Sequence, residues 1–171
     1  VAFVCRHMKK NGVIFMPVTT PQQKINKTKL FGGEWVEVRL VGDYFDDTLS
    51  ASQEHCDQVG GHFLSPFDDL DVIEGQATVT HEMLEQLGCA PDVFVVPVGG
   101  GGLSSSACRL LSERAPETEI YFVEPSGGKS LAAALKAGQP TKIKSVDTFV
   151  DGAAVAKIGK HTFKFLKGVK E

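Results

Sequence analysis

Gly99, Gly100, Gly101 and Gly102 stand in a row, directly after Val93-Phe94-Val95-Val96-Pro97-Val98 and directly before Leu103. The apolar run reads as a strand covered on both faces, and the text after the glycines reads as a helix. Backbone N–H groups can close around an anion only where no Cβ obstructs them. The first turn of a helix also carries unpaired N–H groups and partial positive charge. The chemistry that such a run can do is to cradle a phosphate. The competing reading is a loop that merely turns the chain, although a plain turn needs one or two glycines rather than four.

Other residues with chemical potential do not form a matching pattern. A dinucleotide fingerprint fails because Ser104 stands where the third glycine belongs, and no acidic residue closes the following strand. Gly128-Lys129-Ser130 resembles the tail of a nucleotide-binding loop, but Val123 occupies the position of its upstream glycine. His81-Glu82 lacks the second histidine of a zinc helix, since Glu85 takes that place. Asp68, Asp69 and Asp71 precede a helix and read as capping and dipole-complementing acids rather than metal ligands. The histidines (His7, His55, His62, His81, His161) are scattered. The cysteines (Cys5, Cys56, Cys89, Cys108) are too widely spaced for a zinc or disulfide framework. Free thiols in a reducing cytoplasm are the expectation.

The elements that must position the glycines alternate along the chain. Strands are expected over 13–16, 35–40, 62–65, 93–98 and 119–123. Helices are expected near 1–10, from Thr20-Pro21 to Gly32-Gly33 with Thr20 as N-cap, over 45–59, 72–87, from the glycines onward, over 130–137 and near 156–167. This alternation implies an α/β fold with parallel sheets flanked by helices. A break at Pro66 to Asp71 suggests two parts, 1–66 and 67–171. The 171 residues are 42% hydrophobic, enough for a real core, and no apolar run approaches a membrane span. Net charge is −3 but uneven: residues 1–33 hold six Lys/Arg and no acid, while residues 34–92 hold fourteen acids and one base. No aromatic interleaves the basic opening, so nucleic acid is not the expected partner. The apolar start at Val1 suggests an internal piece of a longer chain.

Several stretches together resemble threonine dehydratase (threonine ammonia-lyase): Phe15-Met16-Pro17-Val18-Thr19-Thr20-Pro21, Phe31-Gly32-Gly33, Val72-Ile73-Glu74-Gly75-Gln76-Ala77-Thr78, the tetraglycine run, Phe122-Val123-Glu124-Pro125 and Asp151-Gly152-Ala153-Ala154-Val155. The resemblance covers essentially the whole chain. It implies the two-lobed, tryptophan-synthase β-like fold (fold type II), here incomplete, with 1–66 in a small mobile lobe and 67–171 in a large lobe. It implies pyridoxal 5′-phosphate as cofactor, its phosphate held by Gly99, Gly100, Gly101, Gly102 and the backbone of Leu103. The implied reaction converts L-threonine to 2-oxobutanoate and ammonia. A serine dehydratase, a serine racemase-like enzyme and a catalytically silent fragment are the alternatives. In such enzymes the Schiff-base lysine lies in a Ser-x-Lys segment, and none of the fourteen lysines here has that context. No catalytic residue is therefore assigned within this chain. Glu124 corresponds to a cation ligand of some relatives, but Ser130 replaces the second acid. The implied partners are a small amino-acid substrate and further copies of the protein in a homo-oligomer, with no nucleic acid and no membrane.

Overall fold

The computed structural model describes residues 1–43, 45–147 and 149–168. It divides into two compact units, Val1–Phe63 and Leu64–Glu171.

In the first unit, α1 (Ala2–His7) leads to β1 (Gly12–Met16), α2 (Gln22–Gly32), a 3-10 turn (Gly33–Trp35), β2 (Val36–Leu40) and α3 (Phe45–Val59). The strands β1 and β2 pair in parallel from Gly12↔Val36 to Met16↔Leu40, with α2 as the crossover. A Cβ at Gly32, the last residue of α2, would overlap the Val36 side chain, and Gly33 ends the helix by turning the chain at φ +56°. Thr20 is not the N-cap of α2. Pro21 occupies that position, and no side chain caps the helix. The Thr19 hydroxyl instead donates to the Asp43 carbonyl at 3.0 Å. Phe15 and Arg39 face each other across the sheet. The Arg39 guanidinium lies 5.8 Å from the Phe15 ring centroid and grips Glu37 at 2.7 and 3.1 Å.

The second unit contains α4 (Leu70–Leu87), β3 (Val93–Pro97), α5 (Gly102–Arg114), β4 (Glu119–Val123), α6 (Ser130–Ala137), a 3-10 turn (Asp151–Ala153) and α7 (Lys160–Leu166). The strands β3 and β4 are parallel neighbours from Val93↔Glu119 to Pro97↔Val123, with α5 as the crossover. Phe94 and Val96 pack with Ala107, Leu111 and Ala115 on the α5 side. Val98, the last side chain before the glycines, is fully buried among Leu131 and Ala134 of α6, Ile158, and Phe163 and Leu166 of α7. Burying one such aliphatic side chain is worth about 1.5–3 kcal/mol, so the point where the glycine loop begins is firmly fixed.

Three further expectations need correction. No strand forms over 62–65, because a strand requires a ladder partner and no described segment pairs with it. β3 is not covered on both faces: burial alternates, with Val96 2% exposed and Val95 62% exposed. Val93, Val95, Tyr121 and Val123 form an apolar face left open by the described residues. The last helix begins at Lys160 rather than near 156, since Gly159 is extended at φ −66°, ψ 159°. Among the described residues no helix is long and apolar enough to cross a membrane.

Candidate anion site at the glycine loop

The N-cap residue between β3 and α5 offers no side-chain acceptor to the first turn of the helix. N-cap positions favour Ser, Thr, Asp or Asn, whose oxygen accepts an N–H of the first turn. Here the N-cap is Gly101, at φ 94°, ψ 2°, with no side-chain acceptor. Among the described residues, none of the backbone N–H groups of Gly99 through Leu103 donates to a protein acceptor. Gly100, Gly101 and Gly102 are buried. Buried N–H groups without partners are rare in native proteins, so a run of them calls for a ligand.

The carbonyls of the same loop are fully engaged. Gly100 O accepts from the Thr162 hydroxyl at 2.8 Å and from Gly159 N at 3.3 Å. Gly101 O accepts from Ser105 N at 2.9 Å and the Ser104 hydroxyl at 3.3 Å. Gly99 O accepts from the Ser130 hydroxyl at 3.5 Å. With acceptors tied back and donors left open, the loop presents a one-signed set of dipoles suited to an anion.

The other α-helices of this unit differ. Asp69 caps α4 through Asp71 N at 2.9 Å and Val72 N at 3.2 Å. Glu124 caps α6 through Leu131 N at 2.6 Å and Ala132 N at 2.9 Å. Asp68 caps α7 through Lys160 N at 2.8 Å, His161 N at 2.7 Å and Thr162 N at 3.2 Å. Among the described helices of this unit, only α5 starts without a carboxylate. Glu124, which corresponds by resemblance to a cation ligand, is thus occupied by two amides. Among the described residues no group of three His, Cys, Asp or Glu could hold a metal ion.

The glycines serve a purpose that the sequence did not disclose. A Cβ at Gly100 would overlap the Phe67 ring, and one at Gly102 would lie 3.2 Å from Phe67 Cβ. A Cβ at Gly101 would meet Thr162 Cβ at 2.8 Å, and one at Gly99 would meet Ala153 Cα at 3.2 Å. The clash in each case is with the protein's own wall. A side chain at Gly101 would therefore act by displacing α7 and straining a positive φ, rather than by filling space meant for an anion. Phe67, Asp68, Ser130 and Thr162 escaped the sequence reading as supports of the loop. Asp68 was legible only as a cap of the nearby helix; its actual partner begins 92 residues later. The remaining decoys have ordinary explanations. Lys129 is exposed, and His81 lies between Arg114 at 2.9 Å and Glu85 at 3.4 Å.

Residues 1–171 match the family of pyridoxal-phosphate dependent enzymes. The biosynthetic L-threonine dehydratase of Bacillus subtilis is 43% identical over 169 residues, covering 99% of this chain and 40% of that protein. The corresponding enzyme of Lactococcus lactis is 42% identical, covering 97% and 41%. The chain thus spans well under half the length of these curated relatives. Among solved structures, the processed form of threonine deaminase isoform 2 from Solanum lycopersicum superposes with a TM-score of 0.87 at 39% identity, covering 98% of this chain and 48% of that one. Maize serine racemase gives 0.89 at 25% identity, covering 100% and 50%. The unpartnered amides, engaged carbonyls and absence of a competing carboxylate fit the phosphate of such a cofactor. This chain, with its parallel α/β architecture of fold type II, belongs to the pyridoxal-phosphate dependent enzyme family.

Proposed function

We propose that the amides of Gly99, Gly100, Gly101, Gly102 and Leu103 hold the phosphate of pyridoxal 5′-phosphate, and that the protein converts L-threonine to 2-oxobutanoate and ammonia. The observation that carries the first part is the run of N–H groups without protein acceptors, centred on the buried Gly100, Gly101 and Gly102. Hydrogen bonds to a charged group contribute about 1.5–3 kcal/mol each, and the α5 dipole adds roughly 0.3–2 kcal/mol. Similarity to the two bacterial dehydratases supports the second part.

When bound, the cofactor withdraws electrons from the amino acid and acidifies its Cα proton. The task of this chain's residues is to anchor: the loop amides fix the phosphate, and the walls built by Phe67 and Thr162 fix the loop. No residue of this chain is assigned to proton transfer. Residues 67–171 would form part of the larger, phosphate-holding lobe and residues 1–66 part of the smaller one. A homo-oligomer is the expected assembly.

The test uses the natively expressed protein. Inorganic phosphate should protect the amides of 99–103 from hydrogen exchange, and with cofactor and L-threonine the protein should release 2-oxobutanoate and ammonia in equal amounts. Protection without ketoacid would favour a catalytically silent chain. The likeness to maize serine racemase motivates L-serine as the comparison substrate; a clear preference for serine would overturn the threonine assignment.

A further inference from the structure

We propose that Asp68 and Thr162 are positioning residues for the cofactor phosphate, acting together through α7 to aim the Gly101 N–H. This inference rests on the cradle reading above and adds the device that orients it.

A trans peptide is planar, with its C=O and the following N–H pointing in opposite directions. All peptide bonds in the described residues are trans. Fixing the Gly100 carbonyl therefore fixes the direction of the Gly101 N–H. That carbonyl is held from one side by two groups of the α7 start, the Thr162 hydroxyl at 2.8 Å and Gly159 N at 3.3 Å. The Gly101 N–H consequently points away from α7. Thr162 is fully buried, and its carbonyl accepts from the Ser105 hydroxyl at 3.1 Å, so it is tied to α5 as well.

What fixes α7 is Asp68. The N-cap of α7 is Gly159, which has no side chain to offer, and Asp68 takes over that role with both carboxylate oxygens on three successive amides. The substitution of roles is structural: a Cβ at Gly159 would overlap the Asp68 carboxylate. Phe67, the residue before it, lies against Gly100 and Gly102. One dipeptide thus touches the loop directly through its ring and indirectly through a helix that its carboxylate anchors. The loop sits between two supports originating at the same point in the chain.

The experiment compares Thr162→Val, Thr162→Ser and Asp68→Asn with wild type in the natively expressed protein. The readouts are pyridoxal phosphate affinity, inorganic phosphate affinity, the 31P resonance of bound cofactor and thermal unfolding. Thr162→Val removes the donor at nearly constant shape and should weaken both affinities by about tenfold, the scale of one hydrogen bond, while moving the 31P resonance. Thr162→Ser keeps the hydroxyl and should stay within about threefold of wild type. Asp68→Asn, with one acceptor oxygen instead of two, should fall between them. A lowered melting temperature with unchanged affinities and 31P signal in Thr162→Val would overturn the proposal, as would equal losses in Thr162→Val and Thr162→Ser. If wild type itself shows no phosphate protection over 99–103, the cradle reading fails first, and the inference fails with it.

Discussion

Among the described residues the same parallel strand–helix–strand unit occurs twice, and the two copies treat the turn after their first strand in opposite ways. After β1, the turn Pro17 to Pro21 is exposed or half-buried, and several of its amides find protein acceptors. Val18 N donates to Gly42 O, Thr20 N to Pro17 O and Lys24 N to Pro21 O. The first-turn residues Gln22 and Gln23 are exposed, so water reaches whatever remains. After β3, the turn is half-buried at Gly99 and buried from Gly100 to Gly102, lacks side chains and leaves its amides without protein acceptors. A parallel crossover alone does not make an anion site, although the topology places a helix start at the end of a strand in both cases. What separates the two is burial combined with withheld acceptors, and only the second turn has both.

The comparison can be broken most forcefully at Gly100. A methyl group there must displace the Phe67 ring, and Gly100→Ala should cost about 3 kcal/mol or more of unfolding free energy, measured by urea titration. Combining it with Phe67→Ala should be less damaging than the sum of the two single changes, because they share one space. Full stability in Gly100→Ala would show that the second turn is as permissive as the first. A smaller effect is expected at Glu124. Glu124→Ala removes the acceptor for Leu131 N and Ala132 N and should cost about 0.5–2 kcal/mol, with phosphate affinity within about twofold of wild type. A loss of phosphate binding would show that the α6 start participates in the site.

The smallest effect lies in the first unit, where charge is paired internally. The hydrogen bond from Arg39 holds the exposed Glu37 carboxyl below its ordinary value, opposed by desolvation and aided by the Arg39 charge. Because the folded value is depressed, this contribution is present above the ordinary carboxylate range and is lost as pH falls through the lowered value. Melting temperature followed from neutral to acid pH should therefore decline slightly less steeply in Glu37→Gln than in wild type. An identical slope would mean that solvent screening leaves the pair without consequence.

Local signals accounted for much of the architecture. Glu119–Val123 and Ser130–Ala137 are bounded as their periodicity and flanking glycines predict, since strand alternation and helix stops act within a few residues. The misplaced features depend on partners elsewhere. His62 to Ser65 has strand-like composition but no ladder neighbour among the described residues. The apolar continuity of Val93 to Val98 cannot say which face a neighbour covers. At the site, the glycine run advertised an anion, but its reason for being glycine lay in Phe67 and Thr162, one upstream and one far downstream. Gly159 was the only local trace of the Asp68 contact, being a helix start without its own cap.

The long reach of Asp68 also bears on timing. During synthesis the carboxylate emerges about ninety residues before the amides that it will bind, a delay of some seconds at roughly 5–20 residues per second. For the last part of that interval, 62 residues from Gly100 to Thr162, the Gly100 carbonyl lacks its α7 partners, although β3, α5 and β4 can already associate. If α7 orients the loop as proposed, the loop reaches its oriented form only after α7 has left the ribosome.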